Sequence, residues 1–314
     1  MRIKIGISSC LLGNQVRYDG GHKLDRFLAG TLGRYVDYVP VCPEVECGMP
    51  IPREPMRLEG EIEAPRLVTH RTREDKTGRM LAWADKRVGE LAGEGLLGFI
   101  FKSDSPSCGM ERVRVYDEKG ESARKGVGLF ARRFMEHFPL LPVEEEGRLH
   151  DPALRENFIE RLFTMARWRD FVGGKPDRDG LVEFHARHKL LIQAHSTRHC
   201  REMGRLAAGG KGVPFPGLLA DYRRLLMEAL KLRATPKKNT NVLMHMAGHL
   251  EKRLTPDEKA ELGEVLDLYR AERLPLVVPV TLIRHFVRKY DEARLRDEVY
   301  LNPHPAELQL RNHV

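Results

Sequence analysis

Ile3-Lys4-Ile5-Gly6-Ile7-Ser8-Ser9-Cys10 is the stretch that decides how this chain folds. It is a short apolar run of strand length, closed by turn residues, of the kind a parallel sheet buries on both faces. Two runs of the same kind follow, Tyr35 to Val41 and Leu97 to Lys102. Helical stretches near Lys23 to Leu32 and Met80 to Leu91 separate them, as parallel crossovers require. Weaker strands fall near Arg66 to Thr69, Val113 to Tyr116 and Leu140 to Val143, and helices near Val127 to His137 and Pro152 to Arg169 complete a doubly wound domain. The expected fold class is therefore α/β, with a Rossmann-like, mostly parallel sheet. Beyond Val172-Gly173-Gly174-Lys175-Pro176 only helix-type periodicity remains. The expected domains are an α/β domain over residues 1–172 and an all-α domain over residues 181–314. In the second, Thr255-Pro256-Asp257-Glu258 opens a helix with threonine as N-cap, proline at the first helical position and glutamate completing a capping box.

Three cysteines fall at equivalent places on this frame. Cys10 follows the first strand, Cys42 ends the second, and Cys108 lies in the loop after the third long strand. Open α/β sheets bind ligands outside the carboxyl ends of their strands, where the strand order reverses. Three thiolates meeting there suit an iron–sulfur cluster or zinc, and a three-ligand site leaves one metal position open to a substrate. The plainer reading is that these are small buried packing residues, as free cysteines often are.

Five cysteines among 314 residues are too few for a disulfide scaffold. No stretch approaches the roughly 20 apolar residues of a membrane span, and no secretory leader is evident at the start, so the expectation is a cytoplasmic protein. The net charge of +8 is concentrated late in the sequence. Between Phe184 and Lys238, 12 basic residues, Lys211 among them, face three acidic ones. Arg187, Lys189, Arg198, Lys237 and Lys238 are the candidate RNA contacts, against the alternative of a solvated helix face. His185, His188, His195 and His199 recur at helical spacing, as do His245 and His249. They lack an acidic partner that would complete a known zinc signature, so packing or an RNA-facing surface is expected.

Several segments also carry a resemblance. Ser9-Cys10-Leu11-Leu12-Gly13 with Val16-Arg17-Tyr18-Asp19-Gly20, then Cys42-Pro43-Glu44, Pro52-Arg53 and Lys102-Ser103-Asp104-Ser105-Pro106-Ser107-Cys108-Gly109 resemble the motifs of the thiouracil desulfidase family, domain of unknown function 523. The likeness runs through most of residues 1 to about 150. Phe184-His185-Ala186-Arg187-His188-Lys189, Pro236-Lys237-Lys238, Asn241-Val242-Leu243-Met244-His245 and Tyr300-Leu301-Asn302-Pro303-His304-Pro305 resemble a second family, domain of unknown function 1722. The two-domain arrangement is similar to the bacterial desulfidases that remove the sulfur of 4-thiouridine from transfer RNA.

The resemblance implies a 4Fe-4S cluster held by Cys10, Cys42 and Cys108, and a hydrolysis that releases sulfide from a thiolated pyrimidine, either in tRNA or as a small molecule. It also carries catalytic importance over to Glu44, which can activate water, and to Ser105, which can orient base or substrate. Cys47 departs from the family pattern, which has glycine there; it could replace Cys42 as ligand, accept sulfur transiently, or stand by. Cys200 lies outside every matching segment and reads as an ordinary helix cysteine. Two rival functions are an enzyme that inserts sulfur into tRNA and a zinc- or cluster-stabilised RNA-binding module. The first needs ATP, and neither Ser-Gly-Gly-x-Asp-Ser nor G-x-x-x-x-G-K-S occurs in the sequence.

Overall fold

A computed structural model describes residues 3–209, 214–308 and 310–312. The chain divides into two compact units between Asp151 and Pro152. The division comes ahead of the Gly173-Gly174 seam, because the helix that starts at Pro152 packs with the later helices. Asn157, for instance, donates its side-chain amide to the carbonyl of Leu230 at 2.9 Å.

In the first unit, β1 (Ile3–Ser8), β2 (Val36–Val41), β5 (Phe99–Phe101) and β8 (Val143–Glu145) form a four-stranded sheet in the order β2-β1-β5-β8, with every pair parallel. Ile3, Ile5 and Ile7 are fully buried on one face of β1. Gly6 turns to the other, where a Cβ would stand 2.2 Å from the ring of Phe99. Phe99 in turn stacks on Phe101 at 4.3 Å and meets Phe134 at 4.7 Å. Glycine in the central strand is thus the condition for an aromatic layer beneath it.

Two of the weaker strands leave the doubly wound sheet. β3 (Met56–Glu59), β4 (Arg66–Thr69), β6 (Val113–Tyr116) and β7 (Ser122–Gly126) build a second sheet of order β4-β3-β6-β7, with antiparallel pairs at both sides of a parallel β3–β6 pair. The reason is local: β6 and β7 join through a tight turn at Asp117 to Glu121, so their hairpin closes on itself. Between the strands lie α1 (Pro43–Glu46), α2 (Thr77–Gly93) and α3 (Leu129–His137). The helix expected near Lys23 to Leu32 is a π-turn at Phe27–Thr31 followed by a 3₁₀ turn at Leu32–Arg34.

The second unit is all-helical. Its main helices are α4 (Pro152–Gly173), α5 (Arg178–His195), α6 (Thr197–Gly209), α7 (Phe215–Lys231), α8 (Pro236–Leu250), α9 (Pro256–Arg270), α10 (Val277–Lys289) and the short α11 (Ala293–Arg296). The capping box of α9 is present: Thr255 Oγ1 accepts from the amide of Glu258, and the Glu258 carboxylate accepts from the amide of Thr255. Among the described residues no helix is long and apolar enough to cross a membrane.

The packing beneath β1 sets a test. Gly6→Ala drives a methyl into the Phe99 ring and is expected to lower stability by about 1–3 kcal/mol. Gly89→Ala, in the exposed middle of α2 with nothing near its added carbon, is expected to raise it by about 0.5–1 kcal/mol. Urea unfolding of the two variants reads both.

Candidate active site

β1, β2 and β5 each deliver one cysteine. Cys10 sits in the 3₁₀ turn Ser9–Leu12 that follows β1, Cys42 is the N-cap of α1 directly after β2, and Cys108 lies in the loop after β5. All three line one cavity of about 300 Å³. The strand order reverses at β1, which has β2 on one side and β5 on the other, so the cavity occupies the switch point of the sheet.

The environment works against free thiolates. Burial pushes the Cys10 thiol up to about 11, although Lys102 and Arg17 pull it back. Burial raises Cys42 as well, and it raises the completely enclosed Cys108 furthest, with a hydrogen bond to Ser8 acting the other way. Charge on Cys42 raises both of the others, which places the three sulfurs within electrostatic reach of one another. Three soft donors that stay neutral alone and face one cavity form a set that a soft cation stabilises by displacing their protons.

The loop carrying Cys108 is held from below. Ser105 Oγ accepts from the amides of Ser107 (3.3 Å) and Cys108 (3.1 Å). At the start of α3, Gly128 lies so close that a Cβ would stand 2.6 Å from the Ser107 carbonyl and 2.8 Å from the Cys108 nitrogen. Lys102 donates to Glu146 at 2.6 Å and to the Ser103 carbonyl at 2.8 Å, so its charge is fixed at the cavity wall.

Glu44, beside Cys42, is gripped at both oxygens. Oε1 accepts from Ser107 Oγ at 2.7 Å, while Oε2 accepts from Arg53 Nε at 2.9 Å and, more closely, from Nη2. A carboxylate only accepts, so the Ser107 proton points at Glu44 and Ser105, 3.0 Å away, is the donor to Ser107. Ser105 therefore reaches Glu44 through Ser107. Arg53 also donates to the Val16 carbonyl at 2.9 Å, tying the segment after Cys10 to the segment after Cys42. Sequence alone assigns no role to Ser107 or Arg53, although both stand inside the segments that carry the resemblance.

Cys47 is not part of this cavity. It is buried with Met49, Leu58, Leu67 and Met80 in an apolar cluster, and its thiol meets the Glu44 carbonyl at 3.3 Å. Cys200 lies in α6, where its thiol meets the Lys189 carbonyl at 3.5 Å.

Among the described residues, one set of three metal-binding groups has its ligand atoms within 4.8 Å of one another: Glu156, Glu160 and His304. Arg311 already spans it, meeting Glu156 at 3.2 Å and Glu160 at 2.8 Å, so a built-in cation lies between the carboxylates.

Arg187, Lys189, Arg198 and Lys237 are all exposed on the second unit, the first two on α5, Arg198 on α6 and Lys237 on α8. Lys238 differs from these in being half-buried: its ammonium donates to the carbonyls of His195 (2.7 Å) and Arg233 (3.0 Å), anchoring the start of α8. Lys211 lies outside the described residues. The histidines mostly pack. His188 is buried, pushed down to about 3 by burial, and bonded to Phe184 and Arg167; His195 joins the Leu232 carbonyl to Glu160.

Comparisons with known proteins match the two parts of the chain to two different families. The family described as 2-thiouracil desulfurase matches residues 5–146, and the family described as a protein of unknown function, DUF1722, matches residues 189–305. YbgA of Escherichia coli (strain K12) is 30% identical over 136 residues, 43% of this chain and 80% of its own length. YbbK of Bacillus subtilis (strain 168) is 30% identical over 111 residues, 33% of this chain and 71% of its own. A solved structure titled as the [4Fe-4S]-dependent thiouracil desulfidase TudS is 33% identical and covers 49% of this chain and 97% of its own, with a TM-score of 0.39.

The Glu44–Arg53 pair is nearly enclosed, with side chains 15% and 5% exposed. Arg53→Met strands the carboxylate and is expected to destabilise the first unit by about 3–5 kcal/mol. Glu44→Gln added to that variant recovers part of the loss, and a urea double-mutant cycle measures the coupling.

Proposed function

The chain belongs to the 2-thiouracil desulfurase family through residues 5–146 and to the DUF1722 family through residues 189–305, and from that premise we propose that it removes the sulfur of thiolated pyrimidines, with 4-thiouridine in tRNA as substrate. The reaction is a hydrolysis: a thiocarbonyl and water become a carbonyl and hydrogen sulfide, with no net transfer of electrons. The observation that carries this reading is the meeting of Cys10, Cys42 and Cys108 with Glu44 in one cavity.

Cys10, Cys42 and Cys108 would hold a 4Fe-4S cluster. Among the described residues no further cysteine or histidine lines the cavity, so one iron of such a cluster would be without a protein thiolate. When bound, the cluster would supply a thiophilic Lewis acid toward the sulfur of the substrate. Glu44 takes a proton from the water that attacks the ring carbon bearing sulfur and returns it to the leaving sulfur; the second proton, left on the new hydroxyl, is lost as the carbonyl forms and completes hydrogen sulfide. Ser107 and Arg53 hold the two carboxylate oxygens in place for this, and Ser105 is a positioning residue that acts through Ser107. Lys102 keeps a positive charge beside the thiolates. In the second unit, Arg187, Lys189, Arg198 and Lys237 hold the RNA backbone while the base leaves its stack.

Anaerobic reconstitution is expected to give a brown protein. Cys10→Ser, Cys42→Ser and Cys108→Ser each lose most bound iron and acid-labile sulfide, whereas Cys47→Ser and Cys200→Ser keep them. Glu44→Gln keeps the iron while turnover of tRNA containing 4-thiouridine, followed by loss of thiobase absorption and sulfide release, falls by roughly 10²–10⁴-fold. A brown, fully loaded parent without turnover overturns the reading. Alanine at Arg187, Arg198 and Lys237 together is expected to raise KM for tRNA and to flatten its salt dependence.

A further inference from the structure

We propose that the outer face of the second sheet is a track for the RNA backbone beside the reacting nucleotide, and that it leads into the cysteine cavity. The proposal rests on the reading that the cavity takes its base from RNA. A groove of about 340 Å³ runs along this face, lined by Arg57, Arg114, Tyr116 and Arg124. Met56, Asp104 and Pro106 line both this groove and the cysteine cavity, so the two are continuous along the loop that carries Cys108.

The arginines stand in a row across three neighbouring strands. Arg114 on β6 and Arg124 on β7 are direct cross-strand partners. The parallel register that pairs Leu58 with Val115 sets Arg57 on β3 beside Arg114. Like charges directly opposite one another destabilise a sheet. At ~4.8 Å between strands, the row spans about 10 Å. A register irregularity between Val113 and Arg114, and the left-handed backbone of Arg112 (φ 55°), alter the strand where Arg114 leaves it.

Local acids neutralise the row only in part, since Arg57 is paired with Glu59 at 2.6 Å and Arg124 with Asp104. Glu59 is clasped by both Arg57 and Arg73. Asp104 approaches Arg124 only to 3.7 Å, with both side chains well exposed. Arg114 is exposed and has no ion-pair partner among the described residues. A polyanion relieves this repulsion. Its chemistry is narrowed by Tyr116, over whose ring the Arg57 guanidinium lies at 4.6 Å. Stacked aromatic and guanidinium planes receive unstacked bases, which a lipid headgroup or an acidic peptide does not supply.

Arg114→Gln/Arg124→Gln in the full chain tests the track. Affinity for an unthiolated, uridine-rich single-stranded RNA is read by fluorescence anisotropy over a salt series. Lys86→Gln, on α2 outside both cavities and 79% exposed, controls for charge alone. The double variant is expected to bind about ten-fold or more weakly, with a log–log salt slope flatter by about 0.7 for each phosphate it no longer neutralises. Parental affinity and slope in the double variant, or an equal loss in Lys86→Gln, overturns the proposal. If the double variant melts below the parent, Arg114→Gln alone repeats the measurement. Binding of unthiolated RNA does not depend on desulfuration, so a failure of the track and a failure of the proposed reaction are distinguishable.

Discussion

Three thiols sharing one cavity, two of them buried and one half-buried, are the constraint to which the first unit answers. Burial disfavours the charge of each, and charge on Cys42 makes Cys10 and Cys108 harder still to ionise. Loops that bring such groups together gain nothing from the contact itself and have to be held by other means. Gly128 supplies one, by letting α3 press against the Cys108 loop. Ser105 supplies another, by accepting two amides of that loop. Lys102 and Arg17 bring the positive charge that thiolates need.

The Glu44–Arg53 pair does a related job between loops. Arg53 reaches the carbonyl of Val16, after Cys10, and the carboxylate of Glu44, after Cys42; Glu44 reaches Ser107, before Cys108. One ion pair thus touches the neighbours of all three cysteines. A buried pair of this kind contributes little net stability, but removing either member leaves an uncompensated charge. It fixes geometry more than it adds stability, and that is what the role proposed for Glu44 requires.

The second unit treats its charges in two ways. Arg311, Glu160 and His195 are buried, with Glu160 bonded to both of the others, so they belong to the helical core. Arg187, Lys189, Arg198 and Lys237 remain on the surface. Lys238 crosses from one group to the other by donating to two carbonyls near the end of α5 and the start of α8. Its neighbour in sequence, Lys237, does not.

Hydrophobic period and turn residues alone determined that the chain begins as a parallel α/β sheet, that Cys10, Cys42 and Cys108 follow its strands, and that the later part is helical. These are local properties, and each strand or helix announces them within its own residues. The tertiary structure decided the rest. It put β3, β4, β6 and β7 in a second sheet, because the pairing partners of short strands are distant in sequence. It turned Cys47 away from the cavity and Lys238 into an anchor, because which way a side chain faces depends on what packs against it. It also joined Ser105, Ser107, Glu44 and Arg53 in one chain of hydrogen bonds. Those residues stood in plain view in the sequence, but a hydrogen bond across 63 residues has no signature in spacing, since it forms only after the sheet has brought its loops together.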